Sequence, residues 1–390
     1  MSLYRCILTS WNVNNMIQDV LENEENESSV FSGIDVDFSL AINNKTGKFY
    51  LGQDIIHALS GLVGQTYFGR LRSVSKSDIL RRIHGRLFQW ENLSRISKCC
   101  SQFLPLQKNK NPVLHIDPLT VINHELKSTD IVLCHDVGPI THPQYFAPQT
   151  EALYQKAYQQ IMQKKCHVVF VSEHTRAEFQ RIYGSDFATC EVIYIPVRAE
   201  LTYQIDVVKD KVAPYFLTVG SLGSRKNQVK SIEGFKISGL HEQGYEYLLV
   251  GSKEPGSEEV IELAEATSGV RVLGYVDDEQ LKQLYRQTAG FVLMSHLEGF
   301  GMPVVEAAQY GAPCLVSAGG IFAEIGGPSM LTADPNCVHS IADQMLIMAS
   351  LSGEERKLLA NQAIDHIQLF DESKIYNQWR DLVSHILIGI

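Results

Sequence analysis

Proline is sparse, 13 in 390 residues, and no stretch approaches the ~18 consecutive apolar residues that cross a bilayer. These absences argue against a low-complexity chain and against an integral membrane protein. The N-terminal MSLYRCILTSWNVNNM lacks the succession of basic flank, long apolar run and small-residue cleavage site that marks a secretory signal. The eight cysteines include no C-x-x-C pair, which excludes both a zinc knuckle and a disulfide framework as the organising feature. Reduced thiols in a cytoplasmic protein are the expectation. A basic surplus is also missing: the formal charge is −10, so nucleic acid is not an expected partner. Against these absences stand 45% hydrophobic and 20% charged residues, enough apolar surface for a packed globular chain of two domains.

The charge is unevenly placed. Residues 1–200 carry 20 basic and 20 acidic side chains, so the whole acidic excess falls in the second half. Between residues 70 and 110 ten basic side chains face only Asp78 and Glu91. Leu80, Ile83, Leu87, Trp90 and Leu93 recur there at three- or four-residue steps, a helical stripe beside Arg82 and Arg86. Two readings are open: a domain helix with a solvated basic side, or a peripheral contact with an anionic membrane, which would lie on its inner face.

Short apolar runs alternate with amphipathic stretches along both halves. In the second half YFLTVG (215–220), YLLVG (247–251), VRVLGYV (270–276), GFVLMS (290–295) and APCLVS (312–317) read as strands separated by helices. IDVDFSLA (34–41), DIVLCHD (130–136), HVVFVS (167–172) and VIYIP (192–196) repeat the pattern in the first half, with a helix over 149–165. The expected fold is α/β, two Rossmann-like domains facing across a cleft: residues 1–204 and 205–370, with a helix over 371–390 packing back onto the first domain. The cleft at the C-terminal ends of the strands is the expected ligand site.

Glycine patterns decide which ligand. No G-x-G-x-x-G follows a strand, and Thr46-Gly47-Lys48-Phe49 lacks the upstream glycine and the hydroxyl of a P-loop, which weakens NAD oxidoreductase and NTPase readings together. Instead Gly220-Ser-Leu-Gly223-Ser-Arg225-Lys226-Asn227 follows a predicted strand directly. Its glycines permit close approach of a ligand, and the helix start with two cations suits a pyrophosphate; a plain βα turn with solvated bases is the competing reading. Further on, Ser295-His-Leu-Glu298-Gly299-Phe300-Gly301-Met-Pro303-Val-Val-Glu306 runs from a strand through a glycine-rich turn into a helix. Pro303 falls in the first helical turn, where its missing N–H costs nothing, and Glu298 and Glu306 can accept hydrogen bonds from sugar hydroxyls if both face the cleft.

The segment Glu298 to Glu306, with the Gly311-Ala-Pro313 turn behind it, resembles the signature of glycosyltransferase family 4, retaining enzymes of the GT-B fold. Arg225-Lys226-Asn227, Tyr247 to Gly251, Val272 to Val276 followed by Asp278, and Val171-Ser172-Glu173-His174-Thr175 agree in order and spacing. The resemblance implies that Arg225 and Lys226 neutralise the donor diphosphate, Glu306 binds ribose hydroxyls, and Glu298 with the N–H groups of Gly299, Phe300 and Gly301 holds the donor sugar. Tyr275 and Val276 would line the base pocket. His135, closing the strand Leu133-Cys-His135-Asp136, has the position of a histidine that donates to the sugar in similar enzymes. The family's glycine-rich turn after the first strand has only Gly47 as its counterpart, while Gly220 and Gly223 belong to the second domain's turn at the donor diphosphate. Asp35-Val36-Asp37 has the D-x-D form of a metal-diphosphate motif, but no second metal ligand is placed nearby in sequence.

The implied activity is metal-independent transfer of a hexose of mannose or glucose type, with retention, from a nucleoside-diphosphate sugar to a saccharide or lipid-linked acceptor in cell-surface polysaccharide synthesis. No cofactor is expected. A nucleotide-sugar epimerase on the same fold and a non-catalytic nucleotide-sugar-binding subunit are the alternatives.

Overall fold

The computed structural model describes residues 33–42, 47–75, 77–96, 104–197, 213–254 and 256–388. Two six-stranded sheets organise them. The first contains β1 (Ile34–Asp37), β2 (Val63–Tyr67), β3 (Val113–His115), β4 (Ile131–Cys134), β5 (His167–Phe170) and β6 (Thr189–Val192) in the order β2-β1-β3-β4-β5-β6. The second contains β7 (Tyr215–Val219), β8 (Glu246–Val250), β9 (Val270–Gly274), β10 (Gly290–Leu293), β11 (Cys314–Ser317) and β12 (Leu331–Ala333) in the order β12-β11-β10-β7-β8-β9. Every pairing is parallel. β4, β10 and β11 are buried at all four positions, the burial that continuous apolar runs foretell when helices cover both faces.

The helices that matter for the site are α1 (Gly47–Ala58), α2 (Asp78–Ile96), α3 (Pro148–Lys164), α4 (Glu173–Tyr183), α5 (Gln228–Ser238), α6 (Asp278–Gln287), α7 (Met302–Gln309), α8 (Ile321–Ile325) and α9 (Glu372–Ile388). Their ends follow local chemistry. Ser172 caps α4 by accepting from Thr175 N, and Asp277 caps α6 by accepting from Gln280 N. Pro148 and Pro303 sit in the first turns of α3 and α7. α9 lies against α1: Arg380 Nε donates to Ala58 O at 2.6 Å, and Trp379, Leu382 and Val383 are buried. Full burial of such side chains contributes roughly 1.5–3 kcal/mol each.

Two strand readings shift. The run 34–41 is a strand only to Asp37, because Asp37 Oδ1 accepts from Ser39 N at 2.9 Å and turns the chain into a short 3-10 helix. The run 192–196 is laddered only at its start: β6 spans Thr189–Val192, and the following residues leave the sheet toward the junction between the two halves. There Val197 N donates to Phe370 O at 2.9 Å, and the rings of Tyr194, Phe300 and Phe370 cluster with centroids 5.1 to 6.2 Å apart.

Candidate active site

β7 ends at Val219, and the turn that follows carries Arg225 and Lys226 on a 3-10 turn; Asn227, left-handed at φ 55°, starts α5. Gly220 sits against the Lys226 side chain, 3.5 Å from its Cε to the position a Cβ would take, and Gly223 is extended. β10 ends beside this turn and delivers the loop 294–301. His296 N donates to Arg225 O at 3.0 Å, stitching the two loops together.

Their side chains form one charged cluster. Lys226 Nζ bonds Glu298 Oε1, Ser295 Oγ donates to the same oxygen at 2.8 Å, and Arg225 Nη1 lies 3.5 Å from Glu298 Oε2. Arg225 also donates to Leu297 O at 3.1 Å and lies 3.7 Å from Glu254. Burial alone would raise the Glu298 carboxyl; the charges of Lys226 and Arg225 and the hydrogen bonds from Lys226 and Ser295 outweigh it and hold the group below its ordinary value. The site therefore keeps two cations and one ionised carboxylate, all adjoining a turn rich in backbone N–H groups.

Glu306 lies two turns of chain further on, in α7. Tyr285 Oη of α6 donates to its Oε2 at 2.9 Å, and Tyr285 stacks on Tyr310 with centroids 5.7 Å apart. The phenol, buried and beside that carboxylate, has its pKa pushed well above the ordinary tyrosine value and stays a donor. Val276 is buried in the core, whereas Tyr275 presents its ring to solvent at 85% exposure, so the base pocket expected at these two residues has no aromatic wall from Tyr275.

The first half meets this cluster directly. His135 follows β4, and its backbone oxygen is so close to Gly299 that a Cβ there would lie 1.9 Å from it. Gly299 O accepts from Ser172 Oγ at 2.8 Å and Thr175 Oγ1 at 3.2 Å. Glu324 of α8 accepts from the first N–H groups of α4, Glu173 N at 2.7 Å and His174 N at 2.8 Å, an anion seated on a helix N-terminus. The parallel rings of His142, Tyr145 and His296 form a stack that also crosses between the halves. A cavity of about 340 Å³ is lined from both sides, by Asp136, His142 and His174 of the first half and Ser295, His296 and Glu298 of the second.

His135 Nε2 is 2.7 Å from Ile116 O, which makes that nitrogen the donor and leaves Nδ1 outside this bond. Burial, then the charge of Lys48, pushes its pKa down to about 4, so the imidazole is neutral at pH 7. Beside it lies a pair that motif reading missed: Lys48 Nζ is 3.0 Å from Asp117 Oδ2, and Tyr154 Oη donates to the same carboxylate. Gly47 is the first residue of α1 with open space at its Cβ position; residues 43–46 of that turn lie outside the described residues.

Phe300 points its ring into the Tyr194–Phe370 cluster, so only its backbone faces the loop's inner side. Gly301, at φ +92°, caps α7 with a backbone that a side chain would strain. The D-x-D aspartates are both buried. Asp35 is held by Gln65 N, Tyr67 and Asn111, and Asp37 by Ser39 and His124, 2.7 Å away. Asp37, His115 and His124 each offer one ligand atom within 4.8 Å of the others, the only such group among the described residues. Each of the three is also tied internally, His115 through Thr120 Oγ1 at 2.7 Å.

Residues 202–366 match the family model of glycosyl transferases group 1. The chain is 26% identical over 304 residues to O-antigen chain mannosyltransferase B of Escherichia coli, covering 73% of this chain and 79% of that one. It is 26% identical over 209 residues to the O-antigen chain mannosyltransferase RfbU of Salmonella typhimurium, 53% of this chain and 56% of the other. In fold it is similar to HepE of Anabaena, solved with UDP and glucose, at a TM-score of 0.64 and 17% identity over 91% of this chain and 100% of that one. A trehalose-6-phosphate synthase, OtsA, gives the same TM-score at 13% identity over 90% and 99% of the two chains. With this likeness, the two facing sheets and the group 1 domain over its second half, the chain is a glycosyltransferase of the GT-B fold.

Proposed function

We propose that the chain transfers a mannosyl residue from a nucleoside-diphosphate sugar to a saccharide acceptor, free or lipid-linked, in the assembly of a surface polysaccharide, with retention and without a divalent metal. The observation that carries this reading is the cluster of Arg225, Lys226 and Glu298, which the loop contact at Gly299 brings against His135 of the other half. The names of the O-antigen mannosyltransferases support the choice of sugar and product.

The barrier to transfer is charge separation: the bond from the anomeric carbon to the diphosphate breaks as the sugar turns cationic. Two cations and the N–H groups of the two loops stabilise the departing diphosphate, the task that elsewhere a divalent ion performs. Glu298, kept ionised, accepts from sugar hydroxyls, and Glu306, steadied by Tyr285, accepts from the ribose. The neutral His135 sits where it can bond the sugar without adding a like charge to it. The acceptor oxygen bonds to the anomeric carbon from the side the diphosphate leaves, and its proton passes to the leaving phosphate oxygen. No protein base is required. The contact of Gly299 with the first half excludes water, the competing acceptor.

The test is incubation with GDP-mannose and a mannoside acceptor in EDTA, with the product's anomeric configuration read by NMR. An α-linked product from the α-linked donor is expected. Turnover only after magnesium is added, an inverted product, or donor conversion without an acceptor would overturn the reading.

A further inference from the structure

Helix α2 has its polarity reversed. On a helix of 3.6 residues per turn, Ile79, Leu80, Ile83, Leu87, Trp90 and Leu93 fall within an arc of ~140°, and all six face solvent, with exposures between 42% and 71%. The opposite face is turned inward and carries buried polar groups beside the half-buried Phe88 and Ile96. Glu91 there binds Arg70 at 2.7 Å and Arg95 at 3.3 Å, and Asn92 accepts from Asn123 Nδ2 at 2.7 Å. An ordinary surface helix would turn its leucines inward; here the hydrogen-bonded inner face anchors the helix and leaves a stripe ~21 Å long pointing outward. Contiguous exposed apolar surface of this kind marks an interaction site.

Charge selects the occupant. Arg86 lies inside the arc, between Leu93 and Ile79 in projection, and Arg82 borders it; both are exposed. Guanidinium groups in and beside an apolar stripe oppose a dry protein core but suit the headgroup level of a bilayer, where the stripe enters the acyl boundary and the arginines meet lipid phosphates. Trp90 belongs at that same depth. The −10 charge of the whole chain makes this local basic face an exception rather than a consequence of composition.

We propose that α2 is a docking surface for an anionic lipid bilayer, lying in the plane of the headgroups. Its position gives the contact a use. α2 packs on the segments that follow β1 and β3, at the same edge of the first sheet that carries His135 after β4. A bilayer under α2 is therefore next to the acceptor side of the cleft, where a lipid-linked saccharide would have to reach. The inference goes beyond the transfer reaction and can fail separately from it.

The full chain is floated with phosphatidylcholine vesicles and with mixed phosphatidylcholine–phosphatidylglycerol vesicles, beside Leu87→Gln/Trp90→Gln and Arg82→Gln/Arg86→Gln variants. Mannosyl transfer to a water-soluble acceptor is assayed in parallel and should be unchanged, since these side chains are solvent-facing. Binding to the mixed vesicles, abolished by the first pair and weakened about 30-fold by the second, is expected, about fivefold per arginine. The Trp90 emission, taken as the difference between the parent and Trp90→Phe, should shift to the blue on binding. Equal binding to both vesicle types, binding undiminished in the variants, or no binding would overturn the proposal. So would a Trp90 shielded from iodide in the free protein, or a dimer that the first pair of substitutions dissociates, since either assigns the stripe to protein.

Discussion

Lys226 and Glu298 are the pair on which the proposed donor site depends, and both are buried. Removing one partner of such a buried pair costs about 3–5 kcal/mol, toward the low end here because Arg225 and Ser295 still face Glu298, whereas replacing both costs much less. Lys226→Met is accordingly expected to lower stability in urea unfolding by about 3 kcal/mol, with Lys226→Met/Glu298→Gln recovering most of it. A loss in the double variant equal to the sum of the losses in Lys226→Met and Glu298→Gln would mean that the two groups are independent. His135 supplies a pH signature. Its pKa in the fold, about 4, lies below the ordinary value near 6.5, so the unfolded chain binds the extra proton between those two values. The stability it permits is complete above pH 6.5 and is lost as pH falls toward 4, by about 1.4 kcal/mol per unit. His115, pushed down to about 3 by burial, acts in the same direction. His135→Asn should reduce the slope of unfolding free energy against pH by about one proton near pH 5; an unchanged slope would place a protonated histidine in the fold.

At the scale of elements, the loop between β10 and α7 carries most of the geometry. Gly299 has no room for a side chain because the backbone of His135 fills the space. Gly299→Ala is expected to part the two halves there and to lower kcat about 100-fold, the usual consequence of a displacement of about 1 Å at a reacting centre. Its unfolding midpoint should change little; full activity would show that the contact is dispensable. Much of this loop was legible in the sequence, because strand, glycine turn, proline in the first turn and paired glutamates are local signals. The contacts it makes were not. Ser172, Thr175 and Glu324 reach it or α4 across more than 120 positions of chain, and no periodicity encodes that. Lys48 and Asp117 were missed for the same reason: each is unremarkable in its own segment, and only the adjacency of β1, β3 and β4 brings them together. The stripe on α2 shows the opposite case. Its spacing was plain, but an apolar stripe ordinarily faces inward, and only the buried Glu91 and Asn92 reveal that it faces out.

Over the whole molecule, two parallel sheets turn their C-terminal edges toward one another, and the alternation of short apolar runs was sufficient to anticipate both. Three strands were not read from the sequence, β2, β3 and β12: they are short or of mixed composition, and their pairing comes from neighbours rather than from their own pattern. What the two halves share is a cleft with Arg225 and Lys226 beside Glu298, proposed to hold a diphosphate with cations of the chain itself. The most direct measurement is thermal unfolding of the purified chain with UDP, GDP, ADP or NAD, each in EDTA and in magnesium. One nucleoside diphosphate should stabilise the protein in EDTA, by ~2.7 kcal/mol at 100 times its dissociation constant, and Lys226→Met should erase that shift. No shift with any diphosphate, a shift that requires magnesium, or a shift with NAD alone would contradict a metal-independent donor site at Arg225, Lys226 and Glu298.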